Sequence, residues 1–577
     1  MNDLRFAFRQ FLKNPGFTVV AVFALALGIG STTAMFAVID TFLLRPLPYA
    51  APNQLVMLQS RNTRSGSDLG VNYLDFKDWK EQARSFSDLA FFNLRWNGNL
   101  ESADGRTETL KTTFTTANLF TVLGVEPLIG RNFAQADDDP AAAKVMLISH
   151  RLWLTLGGDE KILGRQIRLD GTPRTVVGVM PKGFRFPSQS DLWVPMASVF
   201  ERNTNRLSRI DQAIARLKQD ASLSQAQTEM NLIAQRLAAQ YPDTNKDVGA
   251  SVVSLRDYWT GNVRGSLLLL MTACGGVLLI ACSNVSQLLL ARGAAREREF
   301  AVRSALGASR GQLLRQLFME SALLGIAGGI VGSLFAYWIV DFVAASIPIE
   351  LPFWVTINVD LNVLVFAIVV SFVVGIVAGT LPAWQATRHE VTRSLKTTRA
   401  GNTGATARGG RTHEILTIAQ VAVSIVLIVG ASLVLRSVMK LREVDPGFDS
   451  HNVLMLEVNP TYVGTEPPQV RIDRYTRLLK AVSEIPGVEA AAANNSPPFV
   501  PQRPWNRAGI VAEGKSADTQ ALSFLTNFQT VSPEYFRLLR IPLLRGRFFD
   551  NRDNLAAQRV CVISERLAQR LWPMTKK

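Results

Sequence analysis

Charge is missing from five stretches of the chain: Asn14 to Ile39, Gly265 to Ala291, Ser321 to Val340, Leu361 to Thr387 and Ile415 to Leu435. Each reaches or exceeds the roughly 20 residues that a helix needs to cross about 30 Å of hydrocarbon. The pattern predicts five membrane spans. The first run is too long for the apolar core of a cleaved leader, and small residues continue past Gly30 with no clear cleavage site. It reads as an uncleaved span.

The segments at about 45–264 and 437–577 have a different rhythm. VMLIS (145–149) is a short apolar strand, and IRLDGTPRTVVGVM (167–180) sets Asp170-Gly171 between strand-like runs, which predicts a hairpin. Ser224 with Gln227 is read as a capping box opening a helix that runs to about Gln240. These segments are α+β.

They are also related to each other. ANLFTVLGVEPLIGRNF (117–133) aligns without gaps to PEYFRLLRIPLLRGRFF (533–549), sharing Phe120/Phe536, Leu123/Leu539, Gly130/Gly546, Arg131/Arg547 and Phe133/Phe549. After a one-residue slip, VMLISHRL (145–152) matches VCVISERL (560–567). Two blocks recurring in order predict an internal duplication. Its plan is a span, an external domain and three spans, then a span and an external domain again. The second copy stops where the first continues into GRQIRLDGTPRTVVGVMP, so the second domain is expected to be incomplete. TTRAGNTGATARGGR (397–411), rich in Gly, Thr, Ala and Arg, is expected to be a flexible linker between the halves.

Basic residues fix an orientation. The N-terminal stub carries Arg5, Arg9 and Lys13 against Asp3. The loop after the second span holds Arg292, Arg296, Arg298, Arg303, Arg310 and Arg315, and the loop after the fourth holds Arg388, Arg393, Lys396, Arg399, Arg408 and Arg411. The 341–360 turn has three acids and no base. The N-terminus is therefore expected in the cytoplasm, with the two α+β segments outside. Topology thus accounts for the net charge of +15 across 577 residues without nucleic acid as a partner. Of three cysteines, Cys274 and Cys282 share one span and Cys561 sits in the strand-like VCVIS. All three read as small buried hydrophobes, and no disulfide framework supports the external domains.

Catalytic and metal motifs are few, and those that occur lie out of their usual context. G-x-x-x-x-G-K-[ST] occurs once, as GIVAEGKS (509–516), in the segment read as external, where ATP is not expected, so the match is weak; GVEPLIG lacks the lysine. The four histidines (150, 389, 413 and 451) are scattered and H-E-x-x-H does not occur. G-x-S-x-G occurs once, as GASRG (307–311), in a basic loop between spans rather than on a strand-to-helix elbow. The DDD at 137–139 reads as a solvated loop rather than a cation site, and Asp40 sits at the outer end of the first span, where a wet position is ordinary. What the spans do offer is small-residue spacing. Gly325-x-x-x-Gly329, Gly328-x-x-x-Gly332 and Gly375-x-x-x-Gly379 are candidates for close helix packing.

Between the second and third spans lies EREFAVRSALGASRGQLLRQ (297–316). Gly293 is placed to release the second span, Glu299 and Arg303 are spaced i, i+4, and Gly307 is a natural C-cap. Ser309 with Gln312 forms a capping box for the next helix. A short interfacial helix results, and its plain reading is topogenic charge without a partner.

The opening DLRFAFRQFLKNPGFTVVAVFALALGIGSTTAMFAVIDTFLLRPLPY resembles the first span of MacB/FtsX-type ABC transporter permeases. REREFAVRSALGASRGQLLRQLFMES and LPAWQATRHEVTRSLK resemble their second loop and the end of their fourth span. LFTVLGVEPLIGRNF and RTVVGVMPKGFRFP resemble the MacB periplasmic core, and the duplication fits the subgroup called duplicated orphan permeases. The resemblance implies a helical membrane protein, internally duplicated, with α+β extracytoplasmic domains. Its parts would be a stub (1–16), a span (17–41), a first core domain (42–264) and an FtsX-like unit (265–396), with spans at about 265–291, 317–340 and 361–387. A linker (397–412), a fifth span (413–436) and a second, incomplete core domain (437–577) would follow.

The same resemblance implies a non-enzymatic permease subunit in a bacterial inner membrane, holding no cofactor of its own. ATP would be bound by a separate cytoplasmic ABC ATPase. An efflux or mechanotransmission role would bring in an amphiphilic substrate or a periplasmic adaptor. Residues 294–309 would then be a coupling helix, with Arg296, Glu299, Arg303, Ala305, Gly307, Ser309 and Arg310 as its candidate contacts. The alternative is a membrane-anchored extracytoplasmic binding or sensing protein.

Overall fold

The computed structural model describes residues 10–93, 96–101, 107–196, 206–295, 302, 309–346, 354, 355, 357–388, 406–459, 466–496, 507–510 and 525–572. The chain divides into a membrane unit and an external unit.

In the membrane unit, α1 (Pro15–Ile39) opens on a proline at its first turn, where the missing N–H has no helical partner to lose. A π-helical turn, Asp40–Leu44, ends it. In the external unit, β1 (Leu55–Asn62), α2 (Tyr73–Gln82) and β3 (Phe86–Phe92) form one βαβ element, with the short β2 (Asp68–Leu69) at the edge of β1. The Asn72 side chain caps α2 by accepting from the Leu74 nitrogen at 2.8 Å, and Phe76 and Trp79 enter the core.

Next come β4 (Trp96–Glu101), β5 (Thr107–Thr115), α3 (Leu119–Leu123), β6 (Ile129–Gly130), β7 (Val145–Ile148), α4 (His150–Thr155), β8 (Gln166–Leu169), β9 (Thr172–Val179) and β10 (Leu192–Pro195). Then β11 (Gln212–Leu217), α5 (Leu223–Gln240) and β12 (Val248–Ser254) make a second βαβ element. The order β3-β11-β1-β12, antiparallel throughout, is that of a split βαβ fold. Between its second and third strands the chain inserts a closed ring. The path β10-β7-β9-β8-β4-β5 returns on itself because β10 also pairs, in parallel, with β5. Closure removes two edges that would otherwise be open to pairing. The expected hairpin is β8–β9, with Asp170 and Gly171 both at positive φ.

Some expectations shift. The capping box of α5 is Ser222 with Gln225, not Ser224 with Gln227. Ser222 is extended and its hydroxyl accepts from the Gln225 nitrogen, whereas Gln227 reaches β12, holding the Ala250 oxygen and the Val252 nitrogen at 2.9 and 2.7 Å. The helix of the second span, α6 (Leu255–Ala295), starts well before the charge-free run and continues through Gly293 rather than ending there. A lone helical glycine costs only about 1 kcal/mol, too little to break a helix held by hydrocarbon. The remaining membrane helices are α7 (Arg310–Ser346), α8 (Leu361–Arg388) and α9 (Thr406–Glu443). Among the described residues, five helices are long and apolar enough to span. Helix α9 begins at Thr406, inside the stretch expected to be a flexible linker; residues 397–405 lie outside the described residues.

The second copy repeats the local structure of the first without its core. α10 (Pro468–Ser483) buries no residue, and among the described residues β13 (Arg507–Gly509) pairs only with β14 (Leu525–Asn527). Short helices follow at Tyr535–Leu538 and Glu565–Leu571. Val56, Met57 and Leu58 of β1 are at most 1% exposed, yet their counterparts Leu454, Met455 and Leu456 are 82%, 62% and 66% exposed. Among the described residues of 437–577, no strand flanks the counterparts of β1 and β7 as β9, β11 and β12 do in the first copy. The same lack corrects the reading of Cys561. It is exposed because VCVIS is not paired as a strand, whereas Cys282 is buried within α6.

Candidate functional site

Helices in lipid gain nothing from leaving water, so close contact between them rests on van der Waals fit and hydrogen bonds. The glycines of α7 supply that fit. A methyl group placed on Gly332 would lie 2.9 Å from the Ala26 oxygen and 3.1 Å from the Gly30 nitrogen. One placed on Gly328 would lie 2.6 Å from the Leu25 Cβ. On the α8 side, a Cβ at Gly375 would meet the Ser321 oxygen at 2.9 Å and the Ala322 Cα at 3.0 Å. Gly325 faces the Ser371 carbonyl, Gly329 faces the Ser371 side chain and Gly379 faces that of Ser321. All six glycines thus lie on seams joining α7 to α1 and α8. Sequence spacing did not single out Gly30, which provides the α1 side of the α7 seam, or Gly28, which faces Leu278 and Ala281 of α6, although GIG in an apolar run was the available signal.

Polar groups add to the packing. The buried Ser286 hydroxyl donates to the Ala378 oxygen at 2.9 Å, tying α6 to α8. Phe36 of α1 stacks on Phe366 of α8 with centroids 3.9 Å apart. Glu320 is 2% exposed inside a candidate span and accepts from Gln316 Nε2 at 3.3 Å. The charge-free run begins one residue after it, at Ser321, so counting runs passed it over.

Asp40 is a second correction, being buried rather than wet. The π-turn brings Arg45 back, with its backbone nitrogen on the Asp40 oxygen at 2.7 Å. Its Nη2 pairs with Asp40 Oδ2 at 3.3 Å and with Asp360 Oδ2 at 2.6 Å. Asp360 also caps α8 by accepting from the Val363 nitrogen at 3.1 Å. One guanidinium therefore binds the end of the first span to the start of the fourth.

Of the candidate coupling residues, Arg296, Glu299, Arg303, Ala305 and Gly307 lie outside the described residues. Arg310 opens α7. Ser309 makes the capping box read from sequence, its nitrogen donating to Gln312 Oε1 at 3.0 Å and its hydroxyl accepting from the Gln312 nitrogen at 3.4 Å.

The external unit holds its acids in ion networks. Asp75, 1% exposed, receives Arg206 at 2.7 Å, Arg209 at 3.0 Å and Asn245 at 3.0 Å. Asp191 receives Arg151 at 2.9 Å and Arg185 at 3.0 Å. The DDD stretch is structural too. Asp137 is held by Arg131, which draws its carboxyl below the usual range against the opposing pull of partial burial, and Asp138 accepts from the Ala117 nitrogen at 2.8 Å. Burial pushes the Asp211 carboxyl up to about 7.

The duplication extends to individual hydrogen bonds. Asn93 exchanges bonds with Phe114 (3.0 and 2.8 Å), as Asn495 does with Thr530 (3.2 and 3.0 Å). Ser149 caps through the Leu152 nitrogen at 3.1 Å and Ser564 through the Leu567 nitrogen at 3.3 Å. Each such cap is worth about 1 kcal/mol.

Glycine-packed spans joined to a repeated α+β domain define a membrane permease with extracytoplasmic domains. The family described as MacB-like periplasmic core domain matches residues 18–233 and 415–576, more than half the chain, and the FtsX-like permease C-terminal family matches 271–391. The chain belongs to the MacB/FtsX-type ABC transporter permeases. It is 28% identical over 264 residues to the macrolide export ATP-binding/permease protein MacB of Neisseria gonorrhoeae, covering 42% of this chain and 39% of that one. It is 28% identical over 226 residues to the ABC transporter permease YknZ of Bacillus subtilis, covering 37% of this chain and 53% of that one. It thus spans well under two thirds of the length of these relatives. The solved periplasmic region of MacB from Actinobacillus actinomycetemcomitans is 17% identical, covering 37% of this chain and 93% of that structure at a TM-score of 0.29.

Proposed function

We propose that this chain is the membrane subunit of an ABC transporter, passing the work of ATP hydrolysis on a separate cytoplasmic ATPase to its external domains. The observation that carries this reading is the match of residues 271–391 to the FtsX-like permease family, flanked on both sides by core-domain matches. The membrane is a bacterial inner membrane with the N-terminus in the cytoplasm, as the basic loops support. Residues 294–309 seat on the ATPase. The cargo is an amphiphile, or the external domains act on a periplasmic adaptor; export of a macrolide is named for the Neisseria relative.

Affinity purification of the full chain from its own membranes tests this. An ABC ATPase should co-purify in near-stoichiometric amount, with its hydrolysis stimulated by the chain. Repeated recovery without an ATPase, alongside saturable ligand binding by the external domains, would instead make the protein a membrane-anchored sensor.

A further inference from the structure

The chain leaving the first span is anchored on both sides of a short connector. Before it, Arg45 is held by Asp40 and Asp360. After it, Leu47 and Tyr49 are buried, and the Tyr49 ring meets that of Phe186 edge-on, with centroids 6.3 Å apart. Arg216 of β11 then reaches across. Its Nε donates to the Val122 oxygen of α3 at 2.9 Å, and its Nη1 donates to the Ala51 oxygen and Gln54 Oε1, each at 3.4 Å. The connector itself contains Pro46 and Pro48, whose rings fix φ.

The second copy makes the same contact by other means. Pro446, Met455 and Leu456 align with Pro48, Met57 and Leu58, so Asp449 stands where the first copy has Ala51. Gly124, which closes α3 at a φ of 67°, is replaced by Arg540 at 52°. A side chain in that left-handed region is strained. It is held there with its Nη1 2.8 Å from Asp449 Oδ2, while the Asp449 nitrogen donates to the Leu539 oxygen at 2.9 Å. In both copies a guanidinium binds the entering chain to the end of the same short helix. It comes from β11 in one copy and from the helix turn in the other.

We propose that Arg216 and Arg540 are positioning residues. Each clamps the chain entering an external domain, so that displacement of the preceding span is passed into the domain instead of being absorbed by the connector. The value of such transmission rests on the permease reading, but the clamp is measurable without an ATPase.

The test uses the full chain in lipid nanodiscs with a rigid two-point fluorophore on the first external domain. Arg216→Ala should increase the amplitude of fast domain wobble in time-resolved anisotropy by about twofold, while amide protection across β1 and β12 stays unchanged. Arg540→Gly should speed exchange of the Asp449 amide by about tenfold and leave that of Leu567 unaltered. Unchanged wobble with Arg216→Ala would overturn the transmission role, and unchanged exchange at Asp449 would overturn the second clamp. Loss of protection throughout the domain would mean that these arginines only hold the fold. Absence of an ATPase from the purified wild type would sink the permease reading alone.

Discussion

Arg131 grips Asp137 with both arms of its guanidinium, Nη1 to Oδ2 at 2.7 Å and Nη2 to Oδ1 at 3.2 Å. Arg547 and Asp553 repeat the grip at 2.7 and 2.6 Å. Each carboxylate also accepts a backbone nitrogen three residues before it, and each arginine also donates to the carbonyl of its next residue. The two loops share a fold at atomic detail because a bidentate pair fixes both direction and distance.

Asp137→Asn should therefore destabilise the first external domain by about 1 kcal/mol at neutral pH, the upper end for a partly exposed pair. The folded state lowers the carboxyl, so its contribution is present above the unfolded value and lost as pH falls through the lowered one. Melting curves of wild type and variant should separate at pH 7 and converge in acid below about pH 4. A gap that persists in acid would assign the loop's stability elsewhere.

Asp211 has the opposite sign. Burial raises its carboxyl to about 7, so the folded state holds a proton that the unfolded chain releases, and stability falls as pH rises from about 4 to 7. Asp211→Asn should raise stability, and with it the melting temperature, at pH 8, by on the order of 4 kcal/mol at most, and by little at pH 4. Equal melting shifts at both pH values would show that the carboxyl ionises freely.

The glycine seams should be intolerant by position. Gly332→Ala puts a methyl group against the α1 backbone at Ala26 and Gly30, and overpacking of that kind costs about 1–3 kcal/mol. Gly275→Ala, where nothing lies within 4 Å, should be neutral. Thermal stability of the detergent-solubilised chain by size-exclusion fluorescence separates them. Equal behaviour would mean that the α1–α7 seam opens.

The basic loop yields a prediction about handling. Gly307 reads from the sequence as a C-cap and Glu299 with Arg303 as an i, i+4 pair, all three outside the described residues. On that reading Gly307→Val should damage ATPase stimulation more than Glu299→Ala, since a strained cap costs about 1 kcal/mol or more and an exposed pair about 0–1. Every arginine remains, so a cysteine at Ser309 should still label only from the cytoplasmic side. If Gly307→Val couples normally while neutralising Arg296, Arg298 and Arg303 abolishes insertion, the loop is a topological anchor.

An isolated 440–577 fragment should melt without cooperativity, whereas 45–264 should fold alone. The first owns a β1 counterpart more than half exposed along Leu454 to Leu456, and the second closes its core between helices and sheet. Calorimetry of both fragments decides, and a single sharp transition for 440–577 would refute the contrast.

Some of this was legible in the residues themselves. The five spans followed from missing charge, and the β8–β9 turn from Asp170-Gly171, because both signals are local. The repeat was visible at Phe120, Gly130 and Arg131, where turn geometry restricts the residue type. Asp40 was misread because its burial comes from Arg45 and the distant Asp360. Glu320 fell outside a run counted by absence of charge. The β10–β5 closure and the Arg216 contact join residues far apart in sequence, and no periodicity encodes such pairings.

The glycine seams carry a consequence for traffic through the bilayer. Where Gly30 and Gly332 meet, main chain touches main chain, and no acyl tail can slip between the first and third helices without prising them apart. That face is a weld. The fifth helix, by contrast, has none of its apolar window buried within the protein. At Gly276 it meets the second helix through the side chains of Val423 and Leu427, which can shift aside where main chain cannot.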